Sequence, residues 1–262
     1  MFNATTFTYD GVYSGIYGLL IAEFNPETVQ SSMTFTPTVR AVKSAKSNRF
    51  SFAGIVYEEM PEFSFSIISE HRIPDILRRE LLSWLTGRAG FKRLQIHQPE
   101  YQEYEYNCIF SAVEIIYVNG HCHGFNVTAK FDSPYCYGRP RKRTVNGTGE
   151  EVAVKLVNES DIVDGYVYPI VKFTARDAVD GKAISIINEW DAARPFEFCG
   201  LTPHEEVMVD NELKIITSSV GGDKLSGFSK NWLRLRRGVN ELRIRIDGTV
   251  TIECPTYVLI GF

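Results

Sequence analysis

Apolar and polar side chains alternate along several stretches of the first half of the chain. Residues 50–58 (FSFAGIVYE) and 62–68 (EFSFSII) follow this rhythm, and Phe63, Phe65 and Ile67 share one face of the second stretch. In residues 125–131 (FNVTAKF) the apolar side chains again fall at every second position. A period of two is typical of β-strands that bury one face. The pattern therefore predicts a half-buried β-sheet.

One segment, residues 72–88 (RIPDILRRELLSWLTGR), has apolar side chains at steps of three and four instead. This spacing is typical of an amphipathic helix. Pro74 and Asp75 suit its first turn, and Gly87 is placed to end it. The sequence predicts one helix over residues 74–86 that packs on the sheet. The residues expected to face the core are Ile76, Leu77, Leu81, Trp84 and Leu85.

The composition changes after residue 133. Pro and Gly residues and the basic run Arg139 to Arg143 predict a joint with a solvated linker. Beyond it, short strand-like segments alternate with turn signals, and Leu242, Ile244 and Ile246 are expected to point inward. The turn signals are Asp164-Gly165, Asp180-Gly181, Gly221-Gly222 and Asp247-Gly248.

These patterns predict a mainly β protein with two domains. Residues 1–138 are expected to form a β-rich domain with one α-helix, and residues 139–262 a β-sandwich. The chain has 262 residues, 44% of them hydrophobic and 13% aromatic, which is enough for two cores.

Charge and cysteine content narrow the classes of function. The formal net charge is −4, which argues against a protein that mainly grips nucleic acid. The five cysteines are scattered, without a C-x-x-C pair, and are expected to be free thiols, mostly buried. No signal peptide or membrane span is expected, so the chain is expected to fold in a cytoplasm.

The segment 119–124 (NGHCHG) is the strongest candidate for metal chemistry. It joins two predicted strands, and Asn-Gly there is a strong signal for a tight hairpin turn. His121 and His123 have the spacing of two metal ligands, but a zinc site needs three or four. The hairpin interpretation leads, with a metal site as the alternative, and no cofactor is expected.

Other candidates for chemistry are weaker. His97 and His204 are interpreted as isolated surface histidines, and the paired glutamates are adjacent, so in a strand they point to opposite faces. Nucleophile-elbow and phosphate-loop motifs are absent from the sequence. The polar stretch 38–49 is either a docking surface or an ordinary exposed hairpin. Its basic residues are Arg40, Lys43, Lys46 and Arg49.

The order of these parts resembles the siphophage distal tail protein family. The opening FTYDGVYSGIYGLLIAEF, the helix ILRRELLSWLTG before FKRLQIH, and the closing strand FNVTAKFDSPYCYG are similar to that family's N-terminal domain. FCGLTPHEEVMVDNELKII and LRLRRGVNELRI are similar to its galectin-like C-terminal sandwich.

The resemblance implies a structural virion protein of the tail tip, without catalytic residues. It implies a hexameric ring built by the N-terminal domains, made in the host cytoplasm, through which DNA passes. The implied partners are further copies of the chain, the tail tube protein, the tip hub protein, and receptor-binding or side-fibre proteins. No membrane partner is implied.

Two rival functions remain open at this point. The first is a carbohydrate-binding module, since galectin-like sandwiches are often lectins. Against it, PHEEVMVDN lacks the spacing of the His-x-Asn-x-Arg cluster with which galectins bind sugar, and neither Trp190 nor Trp232 is expected to have such polar residues beside it. The second is a metal-dependent enzyme built on His121 and His123.

Overall fold

The computed structural model describes residues 5–22, 37–43, 49–99 and 101–259. The protein is mainly β, as the alternating pattern predicts. The chain divides into two compact units, one of Met1–Cys136 with Leu259–Phe262 and one of Tyr137–Val258. The α-helix of the described residues is not long and apolar enough to cross a membrane.

The first unit contains one large antiparallel sheet, a separate two-stranded hairpin and one α-helix. The sheet has seven strands in the order β2-β1-β7-β8-β9-β6-β3, and β4 pairs only with β5. The elements are β1 (Phe7–Tyr9), β2 (Val12–Tyr13), β3 (Leu19–Ala22), β4 (Thr38–Lys43), β5 (Phe50–Val56), β6 (Glu62–Ser69), α1 (Asp75–Thr86), β7 (Lys92–Ile96), β8 (Tyr106–Val118) and β9 (His121–Phe131).

Helix α1 packs through Trp84 against the aromatic side chains of the N-terminal strands. The Trp84 ring stacks on the Phe7 ring, with centroids 5.9 Å apart and planes 8° apart. Its Nε1 donates a hydrogen bond to the carbonyl oxygen of Tyr9 at 3.2 Å, so the indole is buried with its polar atom satisfied. Leu81 and Leu85 are fully buried beside it. The predicted helix is confirmed, with Pro74 as its N-cap residue.

One predicted core residue of the helix lies outside its buried face. Ile76 is 79% exposed, while Leu77 is partly buried. At about 100° per residue, Leu77, Leu81, Trp84 and Leu85 form one face, and Ile76 lies about a third of a turn away from its centre. The expectation that Ile76 faces the core is therefore wrong.

The second unit is built around two unusually long strands. Its strands run in the order β13-β12-β16-β11-β14-β15, with β10 also paired to β16. They are β10 (Tyr135–Asn158), β11 (Ile170–Asp177), β12 (Ile184–Asn188), β13 (Pro195–Phe198), β14 (Glu206–Asp210), β15 (Ile215–Ser218) and β16 (Gly238–Leu259). Leu242, Ile244 and Ile246 are each 1% exposed, which confirms that they point inward.

The long strands contradict two predictions. The basic run Arg139 to Arg143 is not a linker loop but part of β10. Asp247-Gly248 is not a hairpin turn, because β16 continues through it, and the register against β11 shifts there. Gly248 has φ of 148°, and a Cβ at this position would lie 2.1 Å from the carbonyl oxygen of Thr174. Glycine is thus required by a close approach of two strands.

The predicted turn at Asp180-Gly181 is confirmed. Both residues have positive φ, 52° and 77°, and the flanking Val179 and Lys182 pair across them. The segment 232–238 (WLRLRRG), interpreted as a strand, is mostly irregular before Gly238, with one bridge between Leu235 and Val167.

A buried ion pair fixes the loops around β14 and β15. The Glu205 side chain is fully buried and lies 2.7 Å from the Lys224 Nζ. It also accepts hydrogen bonds from the Ser218 hydroxyl and, at 3.0 Å, from the Thr202 amide. Burial alone would raise the pKa of Glu205, but Lys224, Ser218 and Thr202 together lower it to about 2.

The opposite faces of α1 give a direct test of the packing. Trp84→Ala should lower the free energy of unfolding by about 3–5 kcal/mol, because it removes a buried indole and leaves a cavity. Ile76→Ala, on the exposed side, should change it by less than about 0.5 kcal/mol. Denaturant unfolding of the full-length protein measures both, and equal losses would contradict the helix orientation.

The Glu205 ion pair should make stability depend on pH. Since the folded-state pKa lies below the ordinary value of 4.5, Glu205 stabilises the fold above that pH, and the contribution is lost as the pH falls toward 2. Glu205→Gln should cost roughly 3 kcal/mol at pH 7 and little near pH 2. The adjacent exposed Glu206→Gln is the control. Denaturant unfolding at both pH values measures the difference, and a Glu205→Gln deficit that persists unchanged at pH 2 would contradict this assignment.

Candidate interaction surfaces

Within the segment 119–124, Asn119 and Gly120 form the hairpin turn between β8 and β9, and residues 121–124 begin β9. Asn119 and Gly120 have φ of 50° and 77°, and Val118 pairs with His121 across them. Two successive residues with positive φ are what a tight two-residue hairpin requires, and Asn-Gly supplies them. The turn interpretation is confirmed.

His121 and His123 do not gather further ligands. His121 is exposed and His123 partly buried, two residues apart on β9. Across the described part of the chain, no three His, Cys, Asp or Glu side chains come close enough to hold a metal ion. The pair thus falls short of the three or four protein ligands of a zinc site.

His97 is not the isolated surface residue that its sequence setting indicates. Its Nδ1 lies 3.1 Å from the Thr6 hydroxyl and its Nε2 lies 3.0 Å from the Thr8 hydroxyl. The ring also stacks on Tyr13, with centroids 5.5 Å apart. These contacts join the end of β7 to the N-terminal strands, which is a structural role.

The cysteines are free thiols, as expected, with four buried and Cys199 exposed. Burial raises the pKa of Cys254 to about 12 and that of Cys108 further still. Both thiols therefore stay protonated at neutral pH, whereas a nucleophilic cysteine needs the thiolate.

The hairpin of β4 and β5 presents one apolar face to solvent. Directly opposite residues share a face, and the pairs Val39–Ile55, Ala41–Phe52 and Lys43–Phe50 define this one. We call the side chains of Val39, Ala41, Phe50, Phe52 and Ile55 the apolar hairpin face. Its four large members are between 52% and 67% exposed. A half-buried strand was expected for residues 50–58, and a docking surface or an exposed hairpin for residues 38–49. The sequence pattern therefore did not predict that the exposed face is apolar.

The proposed docking residues lie on or beside this hairpin. Lys43 borders the apolar hairpin face, with its Nζ 5.7 Å from the Phe50 ring centroid. Arg40 lies on the opposite face of β4, and Arg49 immediately precedes β5. Lys46 lies outside the described residues. The basic side chains therefore flank an apolar surface, which a search for charge alone does not detect.

The two tryptophans of the second unit have different surroundings. Trp232 is partly buried and packs edge-on against Phe228, with centroids 4.9 Å apart. Trp190 is 52% exposed, and the guanidinium carbon of Arg236 lies 3.8 Å from its ring centroid. Arg236 is distant from Trp190 in sequence, so local sequence patterns do not indicate this contact.

Two family models match nearly the whole chain. One family model, described as phage tail protein N-terminal domain, matches residues 2–133, and a second, described as phage tail C-terminal domain, matches residues 135–254. No curated protein sequence matches the chain.

Two solved structures share the fold over nearly the whole chain. The Dit protein of phage SPP1, described as a paradigm of the hub adsorption apparatus in Gram-positive infecting phages, matches with a TM-score of 0.69 at 14% identity, covering 97% of this chain and 99% of that one. A chain of the phage p2 baseplate, in its activated conformation with Sr, matches with a TM-score of 0.53 at 8% identity, covering 97% and 98%. The chain therefore belongs to the phage tail protein family that the two domain models describe, and it has the fold of a distal tail protein.

Proposed function

We propose that this chain is a non-enzymatic structural protein of the phage tail tip that assembles into a closed ring of identical subunits. The observation that carries the proposal is the apolar hairpin face, which a single chain leaves in water. The shared fold with the SPP1 Dit protein, described as part of a hub adsorption apparatus, supports a position at the end of the tail.

The exposed hairpin favours association because burial of apolar surface is the main favourable term in most protein–protein contacts. Clustered apolar side chains on one exposed surface commonly mark such a contact, whereas scattered ones do not. Phe50 and Phe52 are aromatic, a class enriched at the buried centre of interfaces. The hairpin pairs with no other strand of the described chain, and the large side chains of its apolar face are more than half exposed, so a neighbouring subunit can reach this face.

A ring closes through head-to-tail contacts between two different patches on each subunit. In the proposed assembly, the hairpin supplies one of these patches and the rest of the first unit supplies the other. The hexameric order follows from the resemblance to distal tail proteins. Once the ring closes, several modest contacts to the tail tube protein and to the hub protein act together by avidity.

The charge of the chain suits passage of DNA through the proposed ring. A net charge of −4 gives no general attraction to phosphates, whereas a basic wall would retain DNA through counterion release.

The proposed division of roles between the two domains assigns ring formation to residues 1–138. Residues 139–262, as the proposed galectin-like sandwich, project outward and carry receptor-binding or side-fibre proteins.

The two faces of the hairpin provide matched variants. Phe52→Asp places a charge on the apolar hairpin face and should abolish ring formation, because a carboxylate would be desolvated in the contact. Val42→Asp, on the opposite face and 63% exposed, should leave the rings intact. Negative-stain images and light scattering of the purified full-length proteins, alone and with tail tube protein, measure the outcome.

Rings that persist in Phe52→Asp would show that the hairpin is not the contact. An absence of rings for the unmodified chain under both conditions would contradict the proposed function itself. At concentrations where the unmodified protein is monomeric, both variants should keep its unfolding midpoint, since both side chains are exposed in the single chain.

A further inference from the structure

Two aromatic side chains of the second unit lie at the surface with a guanidinium stacked on each ring. Trp190 is 52% exposed and Tyr166 is 40% exposed. The guanidinium carbon of Arg236 lies 3.8 Å from the Trp190 ring centroid, and that of Arg234 lies 4.0 Å from the Tyr166 ring centroid. We call these four residues the aromatic–arginine patch. Both stacks lie within the range of cation–π attraction.

Two buried asparagines hold the backbone that carries both arginines. Asn240 is fully buried, and its Nδ2 donates to the carbonyl oxygens of Arg236 at 2.8 Å and Gly238 at 3.1 Å. Its Oδ1 accepts from the Arg236 amide at 3.1 Å. Asn188, 2% exposed, donates to the carbonyl oxygen of Arg234 at 2.9 Å. The irregular segment is thereby rigid, although it belongs to no long strand.

A buried carboxylate fixes one of the two arginines. Asp191 is 6% exposed and accepts hydrogen bonds from Arg234 at 2.8 Å and from Arg194 at 2.6 Å. Burial alone would raise the pKa of Asp191, but the bonds from Arg234 and Arg194 lower it, so the carboxylate stays charged at neutral pH. Arg234 is therefore locked in place over Tyr166.

Arg236 differs from its neighbours in having no carboxylate partner among the residues that the structure describes. The next residue, Arg237, is paired with Asp161 at 3.5 Å. One flat face of the Arg236 guanidinium lies on the Trp190 ring. The N–H donors point outward along the edge of the guanidinium, so the stacking leaves them free to bind a ligand. Such an edge binds a carboxylate or a phosphate through two parallel hydrogen bonds.

We propose that the aromatic–arginine patch binds an anionic saccharide, with Arg236 holding the acid group and the exposed part of Trp190 contacting the apolar C–H face of the sugar ring. The Tyr166 hydroxyl supplies a hydrogen-bonding group for sugar hydroxyls. The acid group is a carboxylate or a phosphate, which share the geometry that a guanidinium recognises. This binding activity goes beyond the proposed ring and does not depend on it.

The composition of the patch favours a saccharide over an acidic polypeptide. All four side chains combine an apolar part with a polar one, and none is aliphatic. A saccharide presents the same mixture of C–H faces and hydroxyls, whereas the centre of a protein–protein contact is more apolar. The rigid backbone also reduces the ordering cost of binding a small ligand.

Calorimetry on the full-length protein tests the proposal with a panel of oligosaccharides carrying uronate, sialate or phosphate groups. At least one should bind saturably, and maltotriose (neutral) and hexaglutamate (an acidic peptide) should bind at least tenfold more weakly. The uronate and phosphate members of the panel distinguish the two acid groups. Quenching of tryptophan fluorescence by the bound saccharide provides a second measurement, since Trp190 is at the site.

Variants separate the patch from general charge attraction. Arg236→Gln and Trp190→Ala should each weaken binding at least tenfold. Arg236→Lys should also weaken it, because it keeps the charge but lacks the planar fork. Arg237→Gln removes the adjacent charge, which is not stacked on an aromatic ring, and should change binding less than twofold. Circular dichroism and the unfolding midpoint should be unchanged in all four, since these side chains are exposed.

Three results would overturn the proposal. The first is no saturable binding of any anionic saccharide at concentrations up to about 10 mM, tenfold above a millimolar dissociation constant. The second is equal losses in Arg236→Gln and Arg237→Gln, which would indicate diffuse electrostatic attraction. The third is binding of hexaglutamate as tight as that of the saccharides, which would make the patch a contact for an acidic protein.

Discussion

Alternation of apolar and polar side chains along long strands is the constraint on which both units depend. In β16, Leu242, Ile244 and Ile246 point into the core, and the intervening Arg243 and Arg245 form ion pairs at the surface. A shift of one residue in pairing would exchange these two sets, so the register is strongly specified. The same requirement fixes β8 and β9 in the first unit. Where β16 passes Asp247 and Gly248, the partner strand β11 has one extra residue between Ala175 and Asp177, and the register shifts there.

The β4–β5 hairpin follows the same rule but has no core to face. Val39 and Phe52 are directed to one side, as core residues of a sheet would be, yet each is more than half exposed. In the large sheets this pattern buries the apolar side chains. In the hairpin it leaves them exposed, because no third strand or helix of the described chain covers them. This difference between equal patterns connects the fold to the proposed assembly, in which another subunit would supply the missing layer.

The sequence predicted what depends on neighbouring residues and missed what depends on distant ones. The faces of β6 and β9 and the burial of Trp84 follow from local periodicity, and they were predicted. Asp247-Gly248 has the local signature of a turn, but pairing with β11 and β10, far away in the chain, keeps the strand extended through it. The prediction that Ile76 faces the core was wrong because the apolar face of the helix, inferred from spacing alone, was made one residue too wide. An exposed hairpin over residues 38–49 was one of the predicted alternatives, but the exposed apolar face of β5 was not predicted, since alternation shows that two faces differ and not that either one is covered.

The aromatic–arginine patch is formed in a different way, from buried polar groups instead of alternation. Burying Asn240 and Asp191 is unfavourable unless every polar atom finds a partner, and a simple sandwich core does not require either residue. Their hydrogen bonds stabilise an irregular segment whose outward side chains, Arg234 and Arg236, contribute little to the core. The rigid segment therefore positions surface side chains more than it stabilises the core. A rigid, polar and partly aromatic surface suits recognition of a ligand with directional hydrogen bonds, and a wide apolar face suits permanent contact with a copy of the same chain. The two units thus present surfaces of different chemistry, which supports assembly through the first and recognition through the second.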